Sequence, residues 1–179
     1  MYRIVLVVAL SIGLLACRSN DSVVSAWEVN DVYRSTMVTP NSTSGAKTFQ
    51  GPAINTMDAA NTYEMFSLRS EQSKDGVKSY ELMVMLTYFS ALRNYDSASL
   101  ENMPSTTFKV VSKESGACED RGCMFKELLS IRLSDEFLKD RTKKGFQISI
   151  SSKAGAKTDL FVPAQYIQGY LKAVDGTSY

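Results

Sequence analysis

The sequence predicts a mainly β domain of the α+β class: a small antiparallel β-sandwich or barrel of six to seven strands, with one or two helices packed on it. Three observations favour this fold. The chain has 179 residues, a length typical of one domain. Its composition, 44% hydrophobic and 22% charged, supports a folded core and disfavours a disordered chain or a coiled coil. Short alternating runs of apolar and polar residues are separated by turns about every eight to twelve residues.

The alternation predicts the strands in chain order. Residues 27–33 suggest a first strand, although a helical turn fits them nearly as well, and residues 39–50, rich in Ser, Thr and Asn, are predicted to form a loop. The strongest signal lies in residues 77–89, where positions 82–86 are all apolar, as in a strand buried on both faces, with Met83 and Met85 filling the core. The other strand-like segments are residues 63–69, 106–111, 125–133, 145–151 and 160–162.

Two helices interrupt these strands. Ser134 is a suitable N-cap for the first, and Lys143 and Lys144 suit its negative end before Gly145 stops it. The second begins at Pro163, a residue favoured in the first helical turn. Its apolar residues recur at intervals of three and four positions and form one stripe: Ile167, Tyr170, Leu171 and Val174.

The amino terminus has the features of a secretory signal. Arg3 precedes a largely apolar run over residues 4–15, which is 12 residues long. As a helix this run would extend roughly 18 Å, against about 30 Å of hydrocarbon in a bilayer. The run ends in Leu14-Leu15-Ala16-Cys17, which resembles the lipobox of bacterial lipoproteins, with Leu15 a mild departure from the pattern. A plain cleaved signal and an uncleaved anchor are the alternatives.

The lipoprotein resemblance implies that cleavage makes Cys17 the first mature residue and that acyl chains such as palmitate are attached to it. Arg18, in place of the aspartate that commonly retains such proteins at the inner membrane, favours the outer membrane. The implied organisation is a signal peptide over residues 1–16, the lipidated cysteine and a tether over residues 17–22, and a single β-rich domain facing the periplasm over residues 23–179.

The two remaining cysteines are predicted to form a disulfide. With Cys17 assigned to lipid, Cys118 and Cys123 are left as a pair that would close a short loop between two strands in an oxidising compartment. A redox-active pair is one alternative. A zinc site is another, but it needs about four Cys or His ligands.

The sequence predicts no enzyme and no cofactor. It contains no histidine, which excludes Ser–His–Asp and Cys–His nucleophilic sites, and it has neither a Walker A phosphate loop nor a dinucleotide-binding fingerprint. With 20 basic and 19 acidic residues, its charge balance does not indicate a nucleic-acid partner. Two carboxylates could still support glycoside hydrolysis, although nothing in the sequence singles out such a pair.

Four residues are candidates for a binding site. Glu127 falls on the inward side of its predicted strand, where it must either serve a site or meet Arg132, a lysine or backbone donors. Tyr95, Tyr166 and Tyr170 could line a groove for a sugar or a peptide, because tyrosine combines apolar area with a polar tip. The alternative for the tyrosines is packing at the edge of the core.

A second resemblance covers residues 63–174. The segments Tyr95-Asp96-Ser97-Ala98 and Val162-Pro163-Ala164-Gln165-Tyr166-Ile167, with Cys118, Cys123 and Glu127 between them, are similar to a pattern in uncharacterised envelope lipoproteins of Gram-negative bacteria. The resemblance implies a location in the cell envelope and no activity.

The function predicted from these features is a lipid-anchored binding or assembly module of the outer membrane, facing the periplasm and without catalysis. Its partners would be the membrane, through Cys17, and another envelope protein or peptidoglycan. One alternative is a periplasmic inhibitor, or a binder of small ligands or glycans with a tyrosine-lined groove. Another is a carboxylate-dependent glycan hydrolase.

The variant Cys17→Ser tests the predicted anchor, because serine cannot accept the acyl chains in place of the cysteine sulfur. We expect the variant to incorporate no labelled fatty acid and to leave the membrane fraction when the envelope is fractionated. Cys118→Ser serves as the control, since it also removes a cysteine but should remain acylated. Continued acyl labelling of the Cys17→Ser protein would contradict the prediction.

Overall fold

The computed structural model describes residues 27–58, 62–100, 107–120 and 122–176. In this part of the chain two antiparallel sheets, of seven and three strands, are accompanied by three helices, which confirms the predicted mainly β fold. The described strands number ten, more than the six or seven expected. The elements are α1 Val29–Ser35, β1 Met37–Pro40, β2 Lys47–Gln50, β3 Ile54–Met57, β4 Tyr63–Gln72, β5 Lys78–Ser90, β6 Ser97–Leu100, β7 Phe108–Glu119, β8 Gly122–Leu133, α2 Asp135–Asp140, β9 Phe146–Ser151, β10 Lys157–Val162 and α3 Ala164–Asp175.

The larger sheet is built around β5. Its strand order is β1-β2-β4-β5-β8-β7, and β3 also pairs with β4. β5 is 13 residues long and pairs in antiparallel register with β4 on one side and β8 on the other. In this register Leu82 lies between Leu68 and Ile131, and all three side chains are fully buried.

The two faces of this sheet differ in burial. From Tyr80 to Tyr88 the even-numbered residues of β5 are fully buried, whereas Met83 and Met85 keep partial solvent contact. The predictions that residues 82–86 are buried on both faces and that the two methionines fill the core are therefore wrong. We call the side that carries Tyr80 and Tyr88 the inner face and the side that carries Met83 and Met85 the outer face.

The second layer of the sandwich packs on the inner face. The smaller sheet has the order β10-β9-β6, and its buried residues Ile148, Ile150 and Leu160 belong to the same core as the larger sheet. Helix α3 contributes the predicted apolar stripe, and each of its four residues is buried. The core therefore lies between the two sheets and beneath α3.

The segment near Trp27 forms the helix α1 and not the strand suggested first. Its buried residue Val32 packs against α3, where Gly169 permits a close approach. A Cβ atom at position 169 would lie 2.4 Å from the carbonyl oxygen of Val29 and 2.6 Å from Val32 Cβ. The absence of a side chain at Gly169 thus allows the backbones of α1 and α3 to meet.

The loop predicted for residues 39–50 is also wrong in part. β1 and β2 form a short hairpin in this region, and β2 continues the sheet by pairing with β4. These strands lie at the edge of the sheet and bury little besides Phe49, so their sequence is polar and resembles that of a loop.

The N-cap predicted for the first of the two expected helices is confirmed, but the helix ends before Lys143, Lys144 and Gly145, which were expected at its carboxyl end. The Ser134 hydroxyl accepts a hydrogen bond from the Phe137 amide at 3.1 Å, and α2 then ends at Asp140. Residues 141–144 form a turn that leads to Gly145, whose φ of +70° suits glycine. A Cβ atom there would also lie 2.4 Å from the carbonyl oxygen of Val162.

The predicted disulfide is present. Cys118 and Cys123 lie opposite each other near the tip of the β7–β8 hairpin and are joined through their sulfur atoms. Both strands are longer than predicted, since β7 continues to Glu119 and β8 begins at Gly122. The disulfide therefore joins β7 to β8 at the tip of the hairpin, beyond a register shift between Ser115 and Cys118.

The signal peptide, Cys17 and the tether lie outside the described residues, as does the predicted strand start at Thr106. Of the helices in the described part of the chain, none combines the length and hydropathy needed to cross a bilayer.

Candidate functional site

The structure divides the four sequence-predicted binding residues between two regions of the interior. Tyr95 and Glu127 lie within one hydrogen-bonded network, which Tyr88 and Arg93 complete. Tyr166 and Tyr170 lie on α3, where they contact β2, β4 and the chain between them. All four predicted residues have a relative exposure of 0%.

The first region is a buried polar cluster, which we define as Tyr88, Arg93, Tyr95, Glu127 and Thr158. At its centre the Tyr88 hydroxyl donates a hydrogen bond to Glu127 Oε1. Glu127 Oε2 has no hydrogen-bond donor among the described residues, but it lies 3.5 Å from the ammonium nitrogen of Lys113 on β7. A lysine thus compensates the inward carboxylate, as one of the sequence-based alternatives proposed, whereas Arg132 lies on the outer face.

Arg93 connects the members of the cluster. Its backbone amide donates to the Tyr88 hydroxyl at 3.0 Å, and its guanidinium carbon lies 4.4 Å from the centre of the Tyr88 ring. Its Nη1 atom donates to the Tyr95 hydroxyl at 3.1 Å and to Thr62 Oγ1 at 2.7 Å. The Tyr95 hydroxyl also lies 3.0 Å from Thr158 Oγ1 on β10, so the network joins the two sheets.

The electrostatics of the cluster keep Tyr88 protonated. Burial, followed by the hydrogen bond to Glu127, raises the pKa of the Tyr88 phenol above its ordinary value of 10.0. At neutral pH this phenol is therefore a hydrogen-bond donor to Glu127, and it is not poised to give up its proton.

The chain that leads to Arg93 is held in an uncommon conformation. Ser90 and Asn94 both have positive φ, at 97° and 53°. Lys113, already paired with Glu127, donates a hydrogen bond to Asn94 Oδ1 at 2.8 Å. Gly122 leaves room for Ser90, since a Cβ atom there would lie 2.9 Å from Ser90 Cα. Contacts from β7 and β8 thus hold the segment that inserts Arg93.

Glu64 is a second inward carboxylate that the sequence analysis missed. It shares a cross-strand row with Leu86 and Glu127, which places the two glutamates two strands, or about 10 Å, apart. Glu64 Oε2 accepts a hydrogen bond from Thr56 at 2.6 Å, and burial raises the pKa of this carboxyl. Its parity with Phe66 on the same predicted strand could have identified it as inward.

The geometry of the Glu64–Glu127 pair differs from that of a glycosidase cleft. Both carboxylates point into the packed interior, and the fully buried side chain of Leu86 occupies the strand between them. Hydrolysis would need a sugar ring and a water molecule at that position.

Tyr166 and Tyr170 fasten α3 to the larger sheet. The Tyr166 hydroxyl donates to the carbonyl oxygen of Pro52 at 2.7 Å and accepts from the Leu68 amide at 3.1 Å. The Tyr170 hydroxyl donates to the Phe49 carbonyl oxygen at 3.3 Å. Burial raises the pKa of both phenols. Together with Tyr95, these tyrosines use their hydroxyl groups inside the fold and expose no surface to a ligand.

The outer face presents a different chemistry. Met65, Met85 and Leu128 face outward in adjacent register on β4, β5 and β8, and we call them the apolar row. Each keeps partial solvent contact, and the neighbouring Tyr63 is 54% exposed. The sheet of a two-layer protein commonly carries polar residues on its solvated face, so this row is an unusual feature of the surface.

A shallow groove of about 250 Å³ adjoins the apolar row, and we call it the outer groove. Arg69 and Glu71 within it form an ion pair, with 2.5 Å between Arg69 Nη2 and Glu71 Oε1. This groove was not predictable from the sequence, because its residues come from four strands whose register a single sequence does not reveal. Its lining residues are Arg69, Ser70, Glu71, Ser79, Glu81, Met83, Lys109, Val111, Ser130 and Arg132.

Comparison with known proteins adds no further assignment: no protein-family model, no curated protein and no solved structure matches the chain. Within the described segments, no group of three or more Cys, Asp or Glu side chains is arranged to hold a metal ion.

Tyr88→Phe tests whether the buried polar cluster stabilises the fold. The variant removes the hydroxyl group that donates to Glu127 and accepts from Arg93, so we expect the free energy of unfolding to fall by about 1–3 kcal/mol. Urea denaturation should show a lower midpoint at an unchanged m-value. The matched control Tyr63→Phe removes an exposed hydroxyl from the same sheet and should change stability by less than about 0.5 kcal/mol. Equal denaturation midpoints for the two variants would show that the Tyr88 hydroxyl in the cluster does not stabilise the folded protein.

Proposed function

We propose that the protein is a lipid-anchored binding or assembly module of the outer membrane, that it faces the periplasm, and that it binds another envelope protein through its outer face without catalysing a reaction. The proposed lipid anchor and the proposed location in the outer membrane rest on the lipobox resemblance around Cys17. The choice of the binding face rests on the surface chemistry of the larger sheet.

The observation that carries the proposal is the apolar row. Met65, Met85 and Leu128 place contiguous apolar side chains across three central strands of a sheet face that retains solvent contact. Contiguous exposed apolar area commonly marks an interaction site, and flexible methionine side chains adapt to the shape of a partner. Tyr63 and Met57, exposed by 54% and 53%, extend the apolar area towards the β3 edge.

The interior offers less support for the alternative functions. A ligand binder with a tyrosine-lined groove needs accessible rings, whereas Tyr95, Tyr166 and Tyr170 are fully buried and hydrogen-bonded within the protein. A carboxylate-dependent hydrolase needs two acidic residues at a cleft, whereas Glu64 and Glu127 flank Leu86 in the core. With these particular residues as the site, either function would require the packed interior to open.

The chain between Cys17 and the described residues is short enough to keep the domain close to a membrane-embedded or membrane-bound partner. Ten peptide bonds connect Cys17 to Trp27, where the described part of the chain begins. At about 3.5 Å per residue this connection spans at most about 35 Å. The domain would therefore remain within about one bilayer thickness of the membrane surface.

Site-specific photo-crosslinking in cells tests the proposal. A photoreactive amino acid at position 85 lies at the centre of the outer face, and the control at position 165 lies on the exposed side of α3, in the other layer. We expect position 85 to give a discrete crosslinked species with one envelope protein and position 165 to give none.

A second substitution makes this test specific to the apolar row. Met65→Lys adds a charge next to position 85 on the neighbouring strand and should abolish the crosslinked species, while the protein stays folded and membrane-bound. The proposal fails if position 85 gives no crosslink, if both positions give the same product, or if Met65→Lys leaves the product unchanged.

A further inference from the structure

The outer groove carries an excess of unpaired positive charge. Of its five charged side chains, Arg69 and Glu71 neutralise each other in an ion pair. Among the described residues, the side chains of Lys109, Arg132 and Glu81 have no hydrogen-bond or ion-pair partner, whereas the Arg132 backbone amide donates to the Thr107 carbonyl oxygen at 3.0 Å. The groove therefore holds two cationic side chains and one carboxylate outside the ion pair, and its net positive charge attracts an anionic group.

The register brings the two free cations close to each other. Lys109 on β7 lies opposite Ser130 on β8, and Arg132 is two residues further along β8 on the same face. Such diagonal neighbours have Cα atoms about 7–8 Å apart, a distance that both long side chains can span to reach a single carboxylate. Glu81 lies on β5, directly opposite Arg132, on the side of β8 that faces away from β7.

The apolar row begins two residues along β8 from Ser130, which lies opposite Lys109, and four residues from Arg132, so the long Arg132 side chain would reach back along the strand to share a carboxylate with Lys109. Leu128 precedes Ser130 by two residues on β8, and Met85 lies opposite Leu128 on β5. Two residues along a strand correspond to about 6.8 Å. This is also the distance between side chains i and i+2 of an extended peptide, which point to the same side.

We propose that the outer groove binds an extended peptide segment of the partner, in which an acidic residue lies two positions from an apolar residue. Arg132 and Lys109 would bind the carboxylate, and Met85 and Leu128 would contact the apolar side chain. This inference rests on the proposed function, because it identifies the chemistry that the outer face recognises.

The charge pattern favours a peptide over a membrane surface. Binding to anionic lipid commonly uses clusters of four to eight basic residues, each contributing to attraction over a broad area. The groove offers two free cations beside a free carboxylate, an arrangement that suits one acidic group held in a defined position.

Fluorescence anisotropy with two peptides of the same composition tests the inference. The probe is fluorescein-Gly-Leu-Ser-Glu-Ser-Leu-Gly-amide, in which glutamate lies two positions from each leucine. The control peptide, fluorescein-Gly-Leu-Glu-Ser-Ser-Leu-Gly-amide, places the glutamate next to one leucine. With the detergent-solubilised full-length lipoprotein, we expect the probe to bind at least about fivefold more tightly than the control peptide.

Two variants test whether Arg132 binds the carboxylate of the probe peptide. Arg132→Gln removes a charge-assisted contact and should weaken binding of the probe by about tenfold or more. Lys126→Gln is the matched control, because Lys126 lies on the same strand and face but outside the groove, and it should leave the affinity unchanged. Arg132 is exposed, so its replacement should not prevent folding.

The outcomes separate this inference from the proposed function. Equal affinity for the two peptides, or an unchanged affinity of Arg132→Gln, would overturn the peptide inference, and the crosslink from position 85 would then stand or fall on its own result. Arg132-dependent binding to phosphatidylglycerol vesicles, without preference between the peptides, would overturn it in favour of a lipid surface.

Discussion

The pairing of β5 with β4 and β8 determines which side chains enter the core and which face outward. Because side chains alternate along a strand, a shift of one residue in this register would exchange Leu82, Val84 and Leu86 for Met83 and Met85 across the whole sheet. Cross-strand neighbours such as Leu68 and Ile131 stabilise the observed register by burial. The second layer follows from this choice, since the smaller sheet and α3 cover the face that carries the fully buried residues.

Polar groups enclosed by this packing have to find partners within the protein. Glu127 meets Tyr88 and Lys113, and Arg93 joins Tyr88 to Tyr95, so the inward polar residues hold the two sheets together at one end. The Tyr166 hydroxyl likewise holds α3 against the larger sheet, because it accepts a hydrogen bond from a backbone amide of β4 and donates one to the Pro52 carbonyl oxygen. A buried charge whose partner is removed is costly, which explains why such groups form networks. The outer face presents solvent-accessible apolar and charged side chains, and the proposal of a binding role rests on them.

The sequence predicted those features that depend on local chemistry. The Ser134 cap, the stripe of α3, the Cys118–Cys123 pair and the inward position of Glu127 each follow from neighbouring residues or from strand parity. Features that depend on distant segments were not predictable. Residues 82–86 are apolar at every position, and only the location of β9, β10 and α3 decides which alternate positions are covered. The polar strand β2 forms because β4 offers it a partner, and β1 then pairs with β2. The outer groove forms because β4, β5, β7 and β8 align.

Methionine oxidation footprinting tests most directly whether a partner covers the outer face in the cell envelope. Brief peroxide treatment of intact envelopes and of the purified protein, followed by mass spectrometry, measures solvent access to each thioether. The account predicts that Met65 and Met85 are oxidised more slowly in envelopes than in the purified protein. Met37, which is 64% exposed on the edge strand β1, should be oxidised equally in both. Equal oxidation of Met65 and Met85 in the two preparations would show that nothing covers the outer face and would contradict the account.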